Sequence, residues 1–253
     1  MKKYVAVSDL FANQYIGGAE LTTEAILSNK NDEIIRINSK SLTDDFINVN
    51  KDKIWFIFNF SALTEKMMIK LAKTVEYSIV EYDYKFCKYR SVEKHFSIEK
   101  KTCDCMSQGV SSKIKLLFYG YARKIWFMSK VQRDIFLRNV PSIKKENVEV
   151  LSSVFKDGDL RFMESLSYNE KDSKYVILDS GSWIKGTKES IEFAKSKGIQ
   201  FELVKGLAYH DLLIKLSTSK GLIFRPLGGD TCPRIVIEAK LLGCDLILND
   251  NVQ

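Results

Sequence analysis

Apolar segments alternate with helix-like patterns along almost the whole chain. Short runs rich in Val, Ile and aromatic residues predict strands at Lys3–Ser8, Glu33–Ile37, Ile54–Phe58, Tyr77–Val80, Ile125–Met128 and Val148–Leu151. Apolar positions at helical spacing predict helices at Ala19–Ser28, Glu65–Thr74, Ser112–Arg123 and Lys130–Asn139. Strand runs that are apolar at nearly every position are typical of parallel sheets covered on both faces, so this order favours an α/β fold.

A polar stretch divides this pattern into two parts. The segment SLSYNEKDSK, residues 165–174, has no strong apolar period and predicts a linker. After it the pattern predicts strands at Tyr175–Asp179, Ile199–Val204, Gly221–Phe224 and Asp245–Asn249, and helices at Thr187–Lys197, Ala208–Ser217 and Cys232–Leu242. We therefore expect two Rossmann-like, doubly wound domains that face a cleft, residues 1–165 and a smaller domain at residues 166–253.

Composition and charge narrow the class of protein. No apolar run is long enough to cross a bilayer, and the start of the chain has no signal-peptide core, so we expect a cytoplasmic protein. The net charge is +7, and the excess lies in residues 85–149, which hold 15 Lys and Arg against 6 Asp and Glu. This basic band suits peripheral contact with an anionic membrane, a polyanion or an acidic sugar acceptor; a solvated lysine-rich surface is the alternative.

The late segment GGDTCPRIVIEAKLLGC, residues 228–244, places two acids around the start of a helix. Asp230 lies in the loop after a strand, and Glu238 lies inside the helix. The helix N-terminus, around Thr231–Arg234, offers free amides that can hold a phosphate, and Pro233, which has no amide hydrogen, suits the first helical turn. A carboxylate close to a phosphate site is suited to a ribose diol. The alternatives are a helix cap for Asp230 and an exposed helix face for Glu238.

Three further loops carry candidate ligand-binding residues. In SGSWIKGTKESIEFAK, residues 180–195, Gly181 allows a turn and Lys185 precedes a helix start, which suits a diphosphate; an ordinary surface lysine is the alternative. In FANQYIGGAEL, residues 11–21, Gly17 and Gly18 allow positive φ and close approach of a ligand to the backbone. In VEYDYKFCKYR, residues 80–90, Asp83 follows a strand, with Glu81 as its competitor for a ligand contact.

The late segment resembles the Glu-x7-Glu element of GT-B retaining glycosyltransferases, the large family-four-like group that uses nucleotide sugars. Asp230, Pro233, the apolar run before Glu238, and Gly243-Cys244 carry the resemblance, although the first acid is Asp. Lys185-Gly186 matches the family's Lys-Gly element, and Gly17-Gly18 its Gly-Gly loop. The family's upstream Arg is missing, with Arg225 or Arg234 as substitutes. Relatives usually continue beyond the last strand, so the resemblance implies a compact or C-terminally shortened version.

The resemblance implies a role for each of these residues. Glu238 would bind the donor ribose, Asp230 would lie near the transferred sugar, and Asp83 would touch sugar hydroxyls. Lys185 would bind the diphosphate, so these four form the expected catalytic set. Donor contacts are expected at Gly17, Gly18, Gly181, Lys185, Gly206, Leu207, Asp230, Thr231, Cys232, Pro233, Arg234 and Glu238, with the base held mainly by the backbone of residues 205–208.

The expected function is a hexosyltransferase that moves a sugar from a nucleotide-diphosphate donor to a glycan, a lipid-linked or another acceptor. Retention at the anomeric carbon and independence of a metal ion follow from the resemblance. One alternative is a catalytically impaired nucleotide-sugar-binding module. Another is a basic nucleic-acid-binding α/β protein, although no RNA-binding or helix-turn-helix signature supports it.

Two features of the basic band stay open. Cys87, His95, Cys103 and Cys105 form the pattern C-x7-H-x7-C-x-C, whose side chains suit a structural zinc ion, but the spacing matches no common zinc motif. Reduced free cysteines and a Cys–Cys link are the alternatives. KIKLLFYGYARK, residues 113–124, predicts either a helix that lies on a membrane or a core-facing helix with a lysine rim.

Overall fold

The computed structural model describes residues 3–107 and 109–253. The chain divides into two compact units, unit 1 ending at Val154 and unit 2 running from Phe155 to Gln253. Each unit contains one parallel sheet with helices packed against it. The predicted α/β fold with two Rossmann-like units, the second smaller, is confirmed.

Unit 1 contains a six-stranded sheet in the order β2-β1-β3-β4-β5-β6. Its strands are β1 (Tyr4–Ser8), β2 (Ile34–Asn38), β3 (Ile54–Ile57), β4 (Glu76–Glu81), β5 (Ile125–Phe127) and β6 (Val148–Val150). Its helices are α1 (Gly18–Leu27), α2 (Asp44–Val49), α3 (Glu65–Thr74), α4 (Val92–Glu99), α5 (Val110–Gly120) and α6 (Lys130–Asn139). Short 3-10 turns lie at Ser28–Glu33, Ser39–Ser41 and Lys145–Asn147.

Unit 2 contains a four-stranded sheet in the order β10-β9-β7-β8. Its strands are β7 (Tyr175–Leu178), β8 (Phe201–Val204), β9 (Gly221–Phe224) and β10 (Asp245–Leu248). Its helices are α7 (Asp157–Leu166), α8 (Thr187–Ser196), α9 (Tyr209–Thr218) and α10 (Arg234–Leu241), with a 3-10 turn at Trp183–Lys185. Strand β9 lies between β10 and β7 and is buried along its whole length, as its apolar sequence predicts.

Each sheet has its own hydrophobic core. In unit 1, Trp55, Tyr77 and Phe118 are almost fully buried, and the rings of Tyr77 and Phe118 stack with centroids 5.0 Å apart. In unit 2, Leu222 and Phe224 of β9 pack with side chains from α9 and α10. Burial of one such large apolar side chain is worth about 1.5–3 kcal/mol, so these cores supply most of the force that holds the helices on the sheets.

The division between the units lies earlier in the chain than the expected boundary after residue 165. Helix α7, which the sequence patterns did not predict, belongs to unit 2 because it packs on α9 and α10. The polar stretch 165–174 therefore runs within unit 2 and is tied to it. The ammonium of Lys171 donates to the carbonyls of Ser217 (2.9 Å) and Leu242 (2.7 Å).

Over the described residues, no helix combines the length and the apolar character that a membrane crossing requires. The apolar residues of α5 instead face the core of unit 1. Phe118 and Tyr119 are at most 1% exposed, and Lys115 donates to the carbonyl of Lys85 at 3.1 Å. Of the two interpretations of this basic helix, the core-facing one with a lysine rim describes the structure, although Tyr121 beyond its end is exposed.

Candidate functional site

The carboxyl edge of the unit 2 sheet brings several predicted loops together. The loop after β7 and the loop after β9 touch, because β7 and β9 are neighbours, and the amide of Leu227 donates to the carbonyl of Ile184 at 3.1 Å. Gly186 has φ +59°, and a Cβ at that position would lie 2.0 Å from the carbonyl oxygen of Arg225. Only glycine allows this contact between the two loops. The glycine of the Lys-Gly element therefore has a packing role in the structure.

Lys185 and Asp230 meet across these two loops. The Nζ of Lys185 lies 2.7 Å from Oδ2 of Asp230, and the two side chains are 33% and 12% exposed. The same ammonium lies 5.6 Å from the ring centroid of Phe224 at the end of β9. An ammonium that remains partly exposed and has one acidic partner can also contact an anion that arrives from solvent.

The segment around Asp230 is held by the residues that follow β10. The amide of Asp230 donates to the carbonyl of Asn251 (2.9 Å), and its own carbonyl accepts from the amide of Gln253 (3.1 Å). The amide of Cys232, one of the amides assigned to phosphate, donates to the carbonyl of Gln253 at 3.0 Å. Helix α10 begins at Arg234 with Pro233 as its N-cap, so Asp230 does not cap it.

Glu238 is buried and does not lie on an exposed helix face. Its Oε1 accepts from Nε of Arg234 (2.7 Å) and from the hydroxyl of Tyr209 (2.8 Å), and the residue is 2% exposed. Burial raises the pKa of Glu238 above its usual value, although the guanidinium of Arg234 opposes this shift. Burial likewise raises the pKa of Tyr209. The carboxylate is thus an internal acceptor of α9 and α10.

Arg234 has several partners around Glu238. Its guanidinium lies over the ring of Phe155, 3.9 Å from the centroid, and 3.6 Å from Oδ2 of Asp159 in α7. Arg225 is also occupied, because it donates to the carbonyl of Leu248 (3.0 Å) and lies over the ring of Phe193. Both arginines that could replace the family's missing Arg therefore make contacts within unit 2.

Other predicted donor-binding residues lie at the same edge of the unit 2 sheet. Gly181 follows β7 at a position where a Cβ would meet open space, and Gly206 follows β8 with φ +65°. Leu207 is 45% exposed in that loop. These residues share the edge with Lys185 and Asp230, whereas Gly17, Gly18 and Asp83 belong to unit 1.

In unit 1, charged side chains at the carboxyl end of β4 form a buried network. Glu81 is 0% exposed, and it accepts from Nζ of Lys85 (2.8 Å) and from the hydroxyl of Tyr119 (2.6 Å). Asp83 accepts from Lys85 (3.1 Å) and from Nε of Arg90 (2.8 Å). Burial alone would lower the pKa of Lys85, but the two carboxylates raise it above its usual value. Asp83 thus faces basic partners of its own unit.

Besides the network at β4, unit 1 has polar side chains in and after the loop that follows β1, namely Asp9 and Glu20. Asp9 accepts from the amides of Ser61 (2.8 Å) and Ala62 (3.0 Å), so it joins the loops after β1 and β3. Gly17 has φ −136°, and the positive φ expected there is absent. A Cβ at this position would lie 2.6 Å from Oε2 of Glu20 and 2.8 Å from Cε1 of Tyr15, so a larger residue would require these two side chains to move. Burial raises the pKa of Glu20.

Sequence reasoning missed one contact between predicted residues and three further residues of these sites. The pair Arg234 and Glu238 has i,i+4 spacing in a helix, which is a visible signal for a contact. Tyr209 and Asp159 gave no signal, because their contact with α10 depends on how α7 and α9 pack. Lys85 also gave none, since its four-residue spacing from Glu81 falls in a loop.

Comparison with protein-family models gives no match, and neither does comparison with curated protein sequences. Solved structures do match. HepE of Anabaena in complex with UDP-glucose gives a TM-score of 0.60 at 11% identity, over 98% of this chain and 80% of that one. WaaG, a glycosyltransferase involved in lipopolysaccharide biosynthesis, gives 0.56 at 11% identity, over 97% of this chain and 80% of that one.

A third similar structure has another activity. The UDP-GlcNAc 2-epimerase of Methanocaldococcus jannaschii, in complex with UDP-GlcNAc and UDP, gives a TM-score of 0.54 at 10% identity, over 98% of this chain and 83% of that one. At such identities the likeness establishes the fold and leaves the reaction to the site. The chain has the fold of the GT-B glycosyltransferases, with two Rossmann-like α/β units.

Proposed function

We propose that this protein is a glycosyltransferase that uses a nucleotide-diphosphate sugar as its donor. The observation that carries the proposal is the pair Lys185 and Asp230, which joins the loops after two neighbouring strands and keeps the lysine partly exposed. Two proteins of the same fold support this class of ligand and reaction: HepE was solved in complex with UDP-glucose, and WaaG is a glycosyltransferase.

The donor diphosphate is proposed to bind at Lys185. The ammonium has one carboxylate partner, and a diphosphate brings more negative charge and more acceptor oxygens than that carboxylate. Asp230, freed from part of this interaction, then lies next to the diphosphate, where the transferred sugar is attached. Gly181 and the backbone of the loop at Gly206 and Leu207 are proposed to contact the remainder of the nucleotide.

Glu238 is proposed to bind the donor ribose without losing its internal partners. An ionised carboxylate offers about four acceptor positions, and Arg234 and Tyr209 use two of them on Oε1. These two donors would also fix the orientation of the carboxylate before the donor arrives, which reduces the cost of ordering it. The proposal makes Arg234 a positioning residue, because it acts through Glu238.

The proposed catalytic effect is stabilisation of the leaving diphosphate. Negative charge grows on that group as the bond to the sugar breaks, and a preorganised ammonium at Lys185 favours this state more than the ground state. Retention of the anomeric configuration, independence of a metal ion and a contact from Asp83 to the sugar remain predictions from the family resemblance. So does a glycan or lipid-linked acceptor that binds near the basic residues 85–149.

A ligand screen with matched variants tests the proposal. We expect nucleoside diphosphates and their sugars to raise the melting temperature, because a ligand at about 100 times its Kd adds about 2.7 kcal/mol of stability. In calorimetry, Lys185→Ala should weaken nucleotide binding by about 10- to 100-fold, the value of a charge-assisted hydrogen bond. Lys188→Ala is the control, since that lysine is on the next turn and 82% exposed.

The outcomes separate the rival functions. No stabilisation by any nucleotide or nucleotide sugar would contradict the proposal. Binding without release of nucleoside diphosphate, across a panel of acceptors, would indicate a catalytically impaired binding module. Nucleic acid binding that weakens steeply with salt and that nucleotide sugars do not compete would favour the nucleic-acid alternative. Where transfer occurs, NMR of the anomeric proton reports retention, and activity in EDTA reports metal independence.

A further inference from the structure

A second candidate site lies in unit 1, in the segment between β4 and α5. Three cysteines and one histidine converge there from four positions of the chain; this Cys/His cluster consists of Cys87, His95, Cys103 and Cys105. The first cysteine ends a turn after β4, the histidine lies in α4, and the last two cysteines follow α4. Apart from the eight-residue α4, the segment has no regular helix or strand over its described residues.

The distances within the cluster fit a single tetrahedral ion. Nδ1 of His95 lies 3.6 Å from Sγ of Cys87 and 3.5 Å from Sγ of Cys105. All four ligand atoms lie within 4.8 Å of one another. A zinc ion with bonds of about 2.3 Å to sulfur and about 2.0 Å to nitrogen separates its tetrahedral ligands by about 3.5–3.8 Å. A small contraction of the cluster would therefore complete such a site.

The groups around the Cys/His cluster are of the kind that surrounds metal-bound cysteine and histidine. The amide of Tyr89 points at Sγ of Cys87 (3.4 Å), and the amide of Lys88 points at Sγ of Cys105 (3.5 Å). Such amides stabilise negative charge on sulfur. Among the described residues, Nε2 of the buried His95 has no hydrogen-bond partner, but Oδ1 of Asp104 lies 3.7 Å away. A metal-bound histidine usually donates its other ring N–H to such a carboxylate.

We propose that the Cys/His cluster binds one structural zinc ion. Its donors are three sulfurs and one imidazole nitrogen, which favour zinc over magnesium or calcium. Four protein ligands fill a tetrahedral shell and leave no position for a substrate, so the site is structural and not catalytic. Each thiol releases its proton to solvent on binding, so that three thiolates and a neutral imidazole surround Zn²⁺.

The zinc ion would fix a loop that also carries the charged network of unit 1. The amide of Arg90 donates to the carbonyl of Cys87 at 3.0 Å, and Arg90 has the unusual φ of +55°. The same arginine donates to Asp83 through Nε at 2.8 Å. Zinc at Cys87 therefore holds the turn that places Arg90 beside Asp83, and loss of the ion should loosen this part of unit 1.

Metal analysis of the reduced, tag-free protein tests the site. Mass spectrometry of the metal content should find one zinc ion per chain, and cobalt in its place should give the intense visible bands of tetrahedral thiolate coordination. Cys105→Ser and His95→Ala should lose the metal. His95→Cys should keep it, because a fourth thiolate also completes a tetrahedral zinc site. Cys244→Ser is the control, since that cysteine is buried in unit 2 and a serine keeps a donor to the carbonyl of Leu216.

A chelator experiment on the wild-type protein tests the site even if the variants fold poorly. A strong zinc chelator should lower the melting temperature of the wild-type protein and of Cys244→Ser, and leave that of Cys105→Ser unchanged. Reduced wild-type protein with no metal and no cobalt bands would overturn the proposal. A disulfide within the cluster, seen as a mass lower by two hydrogens, or iron in place of zinc would also overturn it. These measurements do not involve nucleotides, so they are independent of the proposed transferase function.

Discussion

The carboxyl edges of the two sheets carry their charges in different ways. In unit 1, Glu81 is fully buried between Lys85 and Tyr119, and the side chain of Lys85 is 4% exposed. In unit 2, Lys185 and Asp230 form an ion pair whose lysine side chain is 33% exposed. The first pair joins the end of β4 to the loop that follows it, and the second joins the loops after β7 and β9, but only the second remains in contact with solvent.

This difference separates charges that hold the fold from charges that are available to a ligand. A buried ion must be paired, because its desolvation costs several kcal/mol that only a close partner offsets. Exchange of either partner in such a pair would leave a buried charge uncompensated and is therefore costly. A partly exposed pair contributes about 0–1 kcal/mol, so either member can exchange it for a stronger ligand at little cost. The pair of Glu238 and Arg234 is buried in the same way, although it lies in unit 2; its partners occupy Oε1, so the proposed ribose contact of Glu238 does not require this pair to break.

The largest expected effect comes from breaking the buried pair of unit 1. Lys85→Ala leaves Glu81 without its ammonium, and we expect a loss of about 3–5 kcal/mol in the free energy of unfolding of unit 1. Urea unfolding followed by tryptophan fluorescence measures it in a Trp183→Phe background, where Trp55 and Trp126 of unit 1 are the reporters.

The matched control for that variant is Lys66→Ala. The lysine side chain is 73% exposed, and the change should cost less than about 1 kcal/mol, as for other surface ion pairs. An equal effect of the two substitutions would contradict the distinction between buried and exposed pairs.

A smaller effect is expected in the buried cluster of unit 2. Tyr209→Phe removes one donor from Glu238 and leaves the other, Arg234, so we expect a loss of about 1–2 kcal/mol in the stability of unit 2. The fluorescence of Trp183 reports it. Tyr168→Phe, at a residue 88% exposed, should have no measurable effect. If both variants unfold alike, the hydroxyl of Tyr209 does not support Glu238.

The exposed pair should respond in ligand binding more than in stability. Asp230→Asn frees Lys185 from its partner, and we expect a free nucleoside diphosphate to bind about 2- to 5-fold more tightly, the equivalent of up to about 1 kcal/mol. The same substitution should reduce sugar transfer, because Asp230 is proposed to lie beside the transferred sugar. Calorimetry with the diphosphate and a transfer assay give the two readouts. Weaker diphosphate binding would mean that Asp230 helps to place Lys185.

The smallest expected effect is a dependence of stability on pH at Glu20. Burial raises its pKa above 4.5 in the folded protein, so the folded state holds the proton more tightly than the unfolded state. This contribution is fully present below pH 4.5 and is lost as the pH rises through the folded pKa. Relative to Glu20→Gln, the wild-type protein should therefore lose stability as the pH rises above 4.5.

Urea unfolding of both proteins at several pH values between pH 4 and pH 8 measures this difference. Glu65→Gln, at an exposed position of α3, is the control and should follow the wild-type protein at every pH. A constant difference between wild type and Glu20→Gln over this range would contradict the prediction.

The elements with the strongest apolar periods were predicted best. Helices α3 and α6 and strand β9 have the bounds that the patterns gave, because their buried faces follow a regular spacing. The patterns missed α2, α4 and α7, which are short or rich in polar residues. Helix α7 buries Met163 as its one nearly inaccessible side chain, so its sequence alone resembles a loop.

The sequence predicted the residues of the candidate site and the elements that carry them, but not the contacts between them. The sequence placed Lys185 and Asp230 in loops after strands, and the structure adds that they touch. It placed Glu238 in a helix, and the structure adds that Arg234 and Tyr209 hold its carboxylate. The i,i+4 spacing of Arg234 and Glu238 is a signal for one of these contacts that the sequence analysis did not use; the others join positions far apart in the chain, for which a single sequence carries no signal.

The sequence by itself determined the two parallel α/β units and the loops in which chemistry can occur. It does so because strands buried on both faces need continuous apolar runs, and because parallel strands place the loops that follow them at one edge. Only the tertiary structure decided which charges are buried in pairs, which lysine stays within reach of solvent, and that three cysteines meet one histidine. These outcomes depend on how loops and helices cross, and burial then sets the strength of each electrostatic contact.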